Sequence, residues 1–451
     1  MASNQRSRAA NVCVNCKARK KKCDKSLPTC GYCVRKGLKC QYRRPRFIPH
    51  HVRSIEGVAG NYQSLVSEPE FNPIVHPSPL HLTAAPSQSE NPLSLEAQRI
   101  IRTTGRYFDE ISVRYFQTVH SYVPIIARNH FHSNLISFGA SQEPDFAILL
   151  LAMCLLTYRF EPRRDDTSLY LSARSLFFQA QALCKPSLRL VQAGILLAVH
   201  EYSCRSPEQA LITIGGCVRM AHTAGLERPT CTPATGRSDT VERNDGSVDE
   251  HANTWWAMLI YERMFICEQT VIDQLPVSPM PEITLTSFAP DQCAFYQAAQ
   301  AAWLLDRVLG TLSAPDSEDR HTRLQGLDLK LQTFLSLIIG PSIGPSTVYC
   351  WAISVAIRAL FLLHGRVLDH QQDSNERSAN NSHVALDTLT RIVLDIADLH
   401  QQLSPDQVEA LPPSCGYIIR AALENIQHRS LEVDDEIKLL KAVDNRWGMA
   451  R

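Results

Sequence analysis

The stretch "CVNCKARKKKCDKSLPTCGYCVRKGLKC", Cys13 to Cys40, holds six cysteines at the spacing C-x2-C-x6-C-x6-C-x2-C-x6-C. It is an internal duplication: Cys13, Cys16 and Cys23 are repeated as Cys30, Cys33 and Cys40. Each half offers three thiolates, whereas a zinc ion takes four ligands in a tetrahedron. Two separate sites need eight ligand positions and only six sulfurs are present, so two sulfurs must serve both metals. The duplication makes the bridging pair equivalent residues of the two halves. Cys13 and Cys30, the first of each half, are assigned to it. Two other readings use the same residues. One is a disulfide scaffold, which needs an oxidising compartment. The other is a pair of ordinary zinc sites completed by His50 and His51.

The same region is strongly basic. Residues 1–50 carry 14 Lys and Arg against a single acid, Asp24, while the other 401 residues carry 32 basic and 44 acidic side chains. The overall charge of +1 hides this asymmetry. A basic head on an acidic body points to a polyanion-binding module joined to something else. Two Zn²⁺ and six thiolates sum to about −2, so the head stays cationic with metal bound. So short a module cannot bury enough apolar surface to fold alone, and metal binding is expected to supply the folding energy.

The remaining sequence reads as 1–12, a polar and disordered N-terminus; 13–40, the cysteine module; 41–96, a basic tail and Pro-rich linker; and 97–451, a helical body. Six prolines between Pro69 and Pro92 block helices and sheet ladders in the linker. The opening MASNQRSRAANVC lacks the apolar segment of a signal peptide. The longest apolar run, Ala147 to Tyr158, falls short of the roughly 20 residues of a membrane span. A soluble intracellular chain without membrane contact is expected. The nine cysteines outside the module are scattered with no close pairs and read as small buried hydrophobes in a reducing compartment.

Helical periodicity recurs over 100–118, 145–159, 168–185, 188–203, 252–270, 290–313, 321–339, 346–369 and 383–402, with 231–250 and 371–382 as loops. In "SPEQALITIGGCVRMAHTAGLERP", Ser206 is expected to cap a helix with Gln209 completing a capping box, Pro207 to begin it and Gly225 to end it. Gly215 and Gly216 weaken that helix by about 1 kcal/mol each, and close packing against another helix is expected to compensate. Trp255 and Trp256 are expected to split, one into the core and one toward a groove. Glu262 and Arg263 read as a structural ion pair. The acidic "LEVDDEIKLLKAV", Leu431 to Val443, reads as an amphipathic helix in preference to an activation segment.

The cysteine spacing resembles that of the fungal binuclear zinc-cluster transcription factors, without a gap over residues 13–40. In that family the first and fourth cysteines bridge two zinc ions. Pro28 matches the proline that shapes the loop between halves. The resemblance implies a small zinc-cluster DNA-binding module, two short helices around two zinc ions, plus a large all-α regulatory domain. It places a helix, Lys17 to about Lys22, in the major groove of double-stranded DNA. Arg19 and Lys20 match the positions that reach base edges, where Arg or Lys meets guanine O6 and N7, as in the CGG-type triplets the family reads. Lys17, Lys21 and Lys22, with Arg35, Lys36 and Lys39 in the second half, are candidate phosphate contacts. Arg19 stands where many relatives have lysine.

In the body, "YFQTVHSYVPII" (Tyr115 to Ile126), "GCVRMAHTAGLERP" and "EHANTWWAMLIYERM" (Glu250 to Met264) resemble the family's middle homology region, over about residues 100–280. The usual Gly-Arg-Pro after the second helix is replaced by "CEQTVIDQLPVSP". The resemblance implies a nuclear regulator of RNA polymerase II transcription that meets the transcription machinery. It favours a pathway-specific activator, as of a biosynthetic gene cluster. Homodimer or monomer and a small-molecule effector stay open, because no heptad follows the module. The alternatives are a repressor, or an enzyme-like or ligand-sensing helical domain with an appended zinc module. No nucleophile elbow, P-loop or dinucleotide fingerprint is present, so no catalytic residue is assigned. His120, His130 and His132 lack a carboxylate or cysteine at metal-ligand spacing, and are read as ordinary surface or core residues.

Overall fold

Two short helices, α1 (Val14–Ala18) and α2 (Gly31–Arg35), carry the cysteine module. The computed structural model describes residues 12–26, 29–38, 40, 91–141, 143–158, 167–204, 206–226, 250–269, 276–281, 294–315, 317–339, 350–369, 376–429 and 434–448. The expectations for the N-terminus, for most of the linker, for Pro28, Lys39, His50 and His51, and for residues 231–249 lie outside these. Contacts divide the chain into two units, residues 1–84 and 85–451.

The second unit is all helix among its described residues. It opens with α3 (Pro92–Thr103), α4 (Phe108–Gln117), α5 (Arg128–Ser141) and α6 (Pro144–Tyr158). Then come α7 (Thr167–Leu183), α8 (Leu188–Ser203), α9 (Pro207–Thr223) and α10 (Glu250–Cys267). The later part holds α11 (Ala294–Leu312), α12 (Glu318–Ile339), α13 (Cys350–Asp369) and α14 (Glu376–Gln401), and closes with α15 (Pro405–Glu409), α16 (Ser414–His428) and α17 (Asp434–Gly448). Packing follows chain order. Helix α6 lies against α3, α4, α7 and α8, α8 against α9, and α10 against α8, α9, α11 and α13; α13 meets α11, α12, α14 and α16. Helix α13 is long and apolar enough to cross a bilayer, but most of that stretch is buried within the body.

Two helices lack a polar face because neighbours surround them. In α6 every residue from Phe146 to Thr157 is buried, and in α10 every residue from Ala252 to Cys267. Trp255 and Trp256 are therefore both buried, and the expected split does not occur: α10 has no free face to turn one of them toward.

Local corrections follow the same logic. The single helix read over 100–118 is two, because Gly105 takes φ +74° between α3 and α4. The loop read over 371–382 gives way to α14 at Glu376. Ser382, on that helix, is buried and hydrogen-bonds His364 Nδ1 at 3.3 Å, so packing on α13 extends a segment whose composition alone favours a turn. Ser206 makes no side-chain cap. Gln209 instead accepts from Arg174 Nη2 at 2.8 Å. Pro207 does begin α9, and Gly225, at φ +70°, ends it. The Gly225 N–H reaches the His222 carbonyl and the Leu226 N–H the Ala221 carbonyl, the paired bonds of a Schellman cap. Close packing on α9 is real, but the glycine that permits it is on α8. A Cβ on Gly194 would overlap Cys217 Sγ and lie 2.7 Å from Phe177 Cζ, whereas one on Gly215 would meet nothing within 4 Å.

Candidate metal centre and nucleic-acid interface

The two halves of the cysteine module repeat one local design. The first cysteine precedes a one-turn helix, and its sulfur accepts a backbone N–H from the second: Cys16 N–H to Cys13 Sγ at 3.4 Å, and Cys33 N–H to Cys30 Sγ at 3.4 Å. Each helix then ends in the same cap. The Lys21 N–H reaches the Cys16 carbonyl at 2.9 Å, and the Leu38 N–H reaches the Cys33 carbonyl at 2.9 Å. Each chain turns through a left-handed residue, Lys20 at φ 50° and Gly37 at φ 60°. Five-residue helices are not stable alone, so something outside their own backbone must hold them.

The sulfurs form two groups of four. Cys13, Cys16, Cys23 and Cys30 make one, and Cys13, Cys30, Cys33 and Cys40 the other, with all Sγ atoms of a group within 4.8 Å of each other. Cys13 and Cys30 belong to both. The Cys13–Cys30 and Cys13–Cys33 pairs stand at 3.7 Å and Cys16–Cys30 at 3.6 Å. A tetrahedron of sulfurs about 2.3 Å from a zinc ion has edges of about 3.8 Å, so the donor set fits zinc. A disulfide needs about 2.05 Å, and all six cysteines are free thiols.

Cys13, Cys16, Cys30 and Cys33 are fully buried. Burial pushes the Cys13, Cys16 and Cys33 thiols up, Cys33 to about 12. Burial acts on Cys30 in the same sense, but hydrogen bonds from the Cys33 N–H and the neighbouring thiols outweigh it and bring Cys30 to about 6. Six sulfurs this close cannot all shed their protons unaided, and a divalent cation is the group that permits it.

Asp24, the lone acid of the head, received no role from the sequence. Its carboxylate accepts the Ser26 N–H at 3.3 Å and the Gly31 N–H at 3.1 and 3.0 Å. It thus ties the segment after Cys23 to the first turn of α2, and these backbone donors hold it below the usual carboxylate range. A Cβ on Gly31 would lie 2.7 Å from Asp24 Oδ2, so glycine is required there. The available signal was an acid seven residues ahead of a glycine at a helix start.

Lys17, Arg19, Lys20, Lys21, Lys22, Arg35 and Lys36 are all exposed. The helix expected over Lys17 to Lys22 is displaced: α1 runs from Val14 to Ala18. Arg19 and Lys20 occupy the turn after it, and Lys21 and Lys22 the extended segment leading to Cys23. The cap makes this shift, because the left-handed Lys20 closes the helix.

In the body, Arg263 pairs with Glu262 at 2.6 Å and with Asp306 at 3.0 Å. Arg263 also donates to the Ser278 carbonyl, while Glu262 accepts the Val277 N–H at 2.8 Å. This pair anchors the segment that replaces Gly-Arg-Pro. The three histidines serve packing and pairing. His130 meets Glu250 at 2.7 Å. Burial and the Arg128 charge push His120 down to about 4. His132 packs beside Phe116 and Phe131.

Comparison with known families accounts for both units. The model of the fungal Zn(2)-Cys(6) binuclear cluster domain matches residues 11–47, and that of the fungal specific transcription factor domain matches residues 113–265. The chain belongs to the fungal zinc-cluster transcription factors. These are families of transcription factors, not of enzymes. Transcription factor BOA15 of Botryotinia fuckeliana is 34% identical over 119 residues, 26% of this chain and 66% of that protein. The azaphilone cluster-specific transcription factor azaR of Aspergillus niger is 25% identical over 248 residues, 49% of this chain and 50% of that protein. A transcription factor of Aspergillus terreus is 22% identical over 393 residues, 64% of this chain and 65% of that protein. The matches thus span between half and two thirds of these relatives. No solved structure matches the chain.

Proposed function

We propose that the chain is a nuclear, sequence-specific DNA-binding regulator of RNA polymerase II transcription, with the module as reader and the helical body as regulatory domain. The carrying observation is a pair of four-sulfur groups that share Cys13 and Cys30, flanked by an exposed basic run from Lys17 to Lys22. In this reading Cys13, Cys16, Cys23, Cys30, Cys33 and Cys40 hold two zinc ions, with Cys13 and Cys30 bridging. The metal supplies the cross-link that the two one-turn helices need to fold. Pro28 shapes the loop between halves.

Arg19 and Lys20 read bases in double-stranded DNA, with CGG-type triplets as the target. Lys17, Lys21, Lys22, Arg35, Lys36 and Lys39 meet phosphates. The left-handed Lys20 supports its assignment. A lysine there costs about 1–2 kcal/mol of backbone energy relative to glycine, and such outliers concentrate at functional positions. The printed name of one relative, a cluster-specific transcription factor, supports a pathway-specific activator. A homodimer and a small-molecule effector remain compatible with the helical body.

The test is selection of bound duplexes from a random library by the full chain, with metal analysis of the same preparation. The expected result is an enriched CGG-type triplet and about two zinc ions per chain. Equal retention of all sequences rejects the reader role, and about one zinc per chain rejects the bridged cluster.

A further inference from the structure

Outside the zinc module the cysteines have no near neighbours in sequence, but the fold brings two of them together. Cys350 is the first residue of α13, and Cys415 is the second residue of α16. The two helices pack against each other, and the Cys350 and Cys415 side chains are hydrogen-bonded. From the end of α14, His400 places Nε2 3.6 Å from Cys350 Sγ. Cys415 and His400 are buried, while Cys350 is partly exposed. Behind the pair, Ser354 hydrogen-bonds Ser414 at 2.6 Å and also reaches Cys415.

The two sulfurs are not equivalent. The hydrogen bond from Cys415 pulls the Cys350 thiol down, and His400 adds to it. Together they outweigh burial and bring Cys350 to about 5. The position of Cys350 at a helix N-terminus acts in the same direction. The Cys415 thiol is pushed well up by its bond to Cys350 and by burial. The result is a thiolate with access to solvent and a thiol held directly behind it. A buried cysteine acting only as a small apolar residue requires neither feature.

We propose that Cys350 and Cys415 form a peroxide-reactive dithiol site, in which Cys350 is oxidised first and Cys415 then closes a disulfide. The Cys350 thiolate attacks one oxygen of a hydroperoxide, forming an S–O bond and breaking the O–O bond. The departing oxygen takes a proton from His400 and leaves as water or an alcohol. The Cys415 sulfur then attacks the Cys350 sulfenic acid. The S–S bond forms, the S–O bond breaks, and the hydroxyl leaves as water with the Cys415 proton. Two thiols lose two electrons and the peroxide gains them. The product links the first turn of α13 to the first turn of α16.

The test uses the zinc-loaded full chain, with zinc content followed so that oxidation of the metal centre is read separately. After one equivalent of hydrogen peroxide, mass spectrometry is expected to find a reducible Cys350–Cys415 linked peptide. In Cys415→Ser the sulfenic acid is expected to persist on Cys350 and be trapped by dimedone. In Cys350→Ser, Cys415 is expected to stay unmodified. The native protein gives an independent readout through iodoacetamide labelling between pH 6 and 8. Labelling of Cys350 should stay nearly flat, whereas Cys184, also partly exposed but raised by burial and Asp145, should gain about tenfold per pH unit. Absence of the linked peptide from the peroxide-treated protein overturns the proposal. So does a Cys350 labelling rate that climbs with pH as that of Cys184 does.

Discussion

Residues 13–20 and 30–37 trace one backbone twice, yet they differ where it matters. Both begin with a buried cysteine that accepts an N–H bond, and both end in a Schellman cap. At the left-handed position of that cap the second half has Gly37, which suits the backbone, while the first half has Lys20, which does not. Beside it stand Arg19 in the first half and Lys36 in the second. The second copy is thus shaped by its own folding. The first accepts strain to present a long cation in a fixed turn. Asp24 joins the copies by reaching from the segment after Cys23 to the Gly31 N–H.

Metal removal tests what the halves share. Structural zinc contributes on the order of 10 kcal/mol or more to the folding of such modules, so chelation is expected to abolish duplex binding while helical circular dichroism from the body persists. Duplex binding that survives complete chelation would contradict a common dependence on metal. Substitution of the paired cations tests how the halves differ. Arg19→Ala is expected to lose about 1–3 kcal/mol of discrimination between target and altered triplet, whereas Lys36→Ala should weaken both duplexes alike; equal patterns would erase the distinction.

The cap residues give a smaller and opposite pair of effects. Gly37→Ala should destabilise the module by about 1 kcal/mol, because φ is 60° although the space around it is open. Lys20→Gly should relieve about the same backbone energy yet lower duplex affinity. Zinc-release kinetics and binding titrations measure the two together, and a Lys20→Gly protein that loses zinc faster would refute the strain argument. Smallest is Lys22→Ala, which should leave triplet preference unchanged and flatten the salt dependence of binding by about 0.9 in log–log slope. A loss confined to one sequence would make Lys22 a reader.

Much of this was legible in one dimension. Cysteine spacing by itself named the six sulfurs that lie together, because a tetrahedral ligand count and a duplicated pattern are properties of sequence. Continuous apolarity marked α6 as a buried helix, and Gly225 marked the end of α9, because helix ends depend on local dihedral preference. The cap at Lys20 escaped notice because lysine carries no signal for a left-handed turn, so α1 was expected several residues too late.

What tertiary structure alone decided is which partner each residue meets. Composition could not place both Trp255 and Trp256 in the core, since that follows from α10 having neighbours on every side. It could not choose Gly194 over Gly215 for the close approach of α8 and α9, nor carry α14 back to Glu376. Cys350 and Cys415 met as a pair only through the packing of α13 on α16. Local chemistry sets dihedrals and ligand counts, whereas the meeting of residues far apart in the chain depends on how whole helices bury their faces.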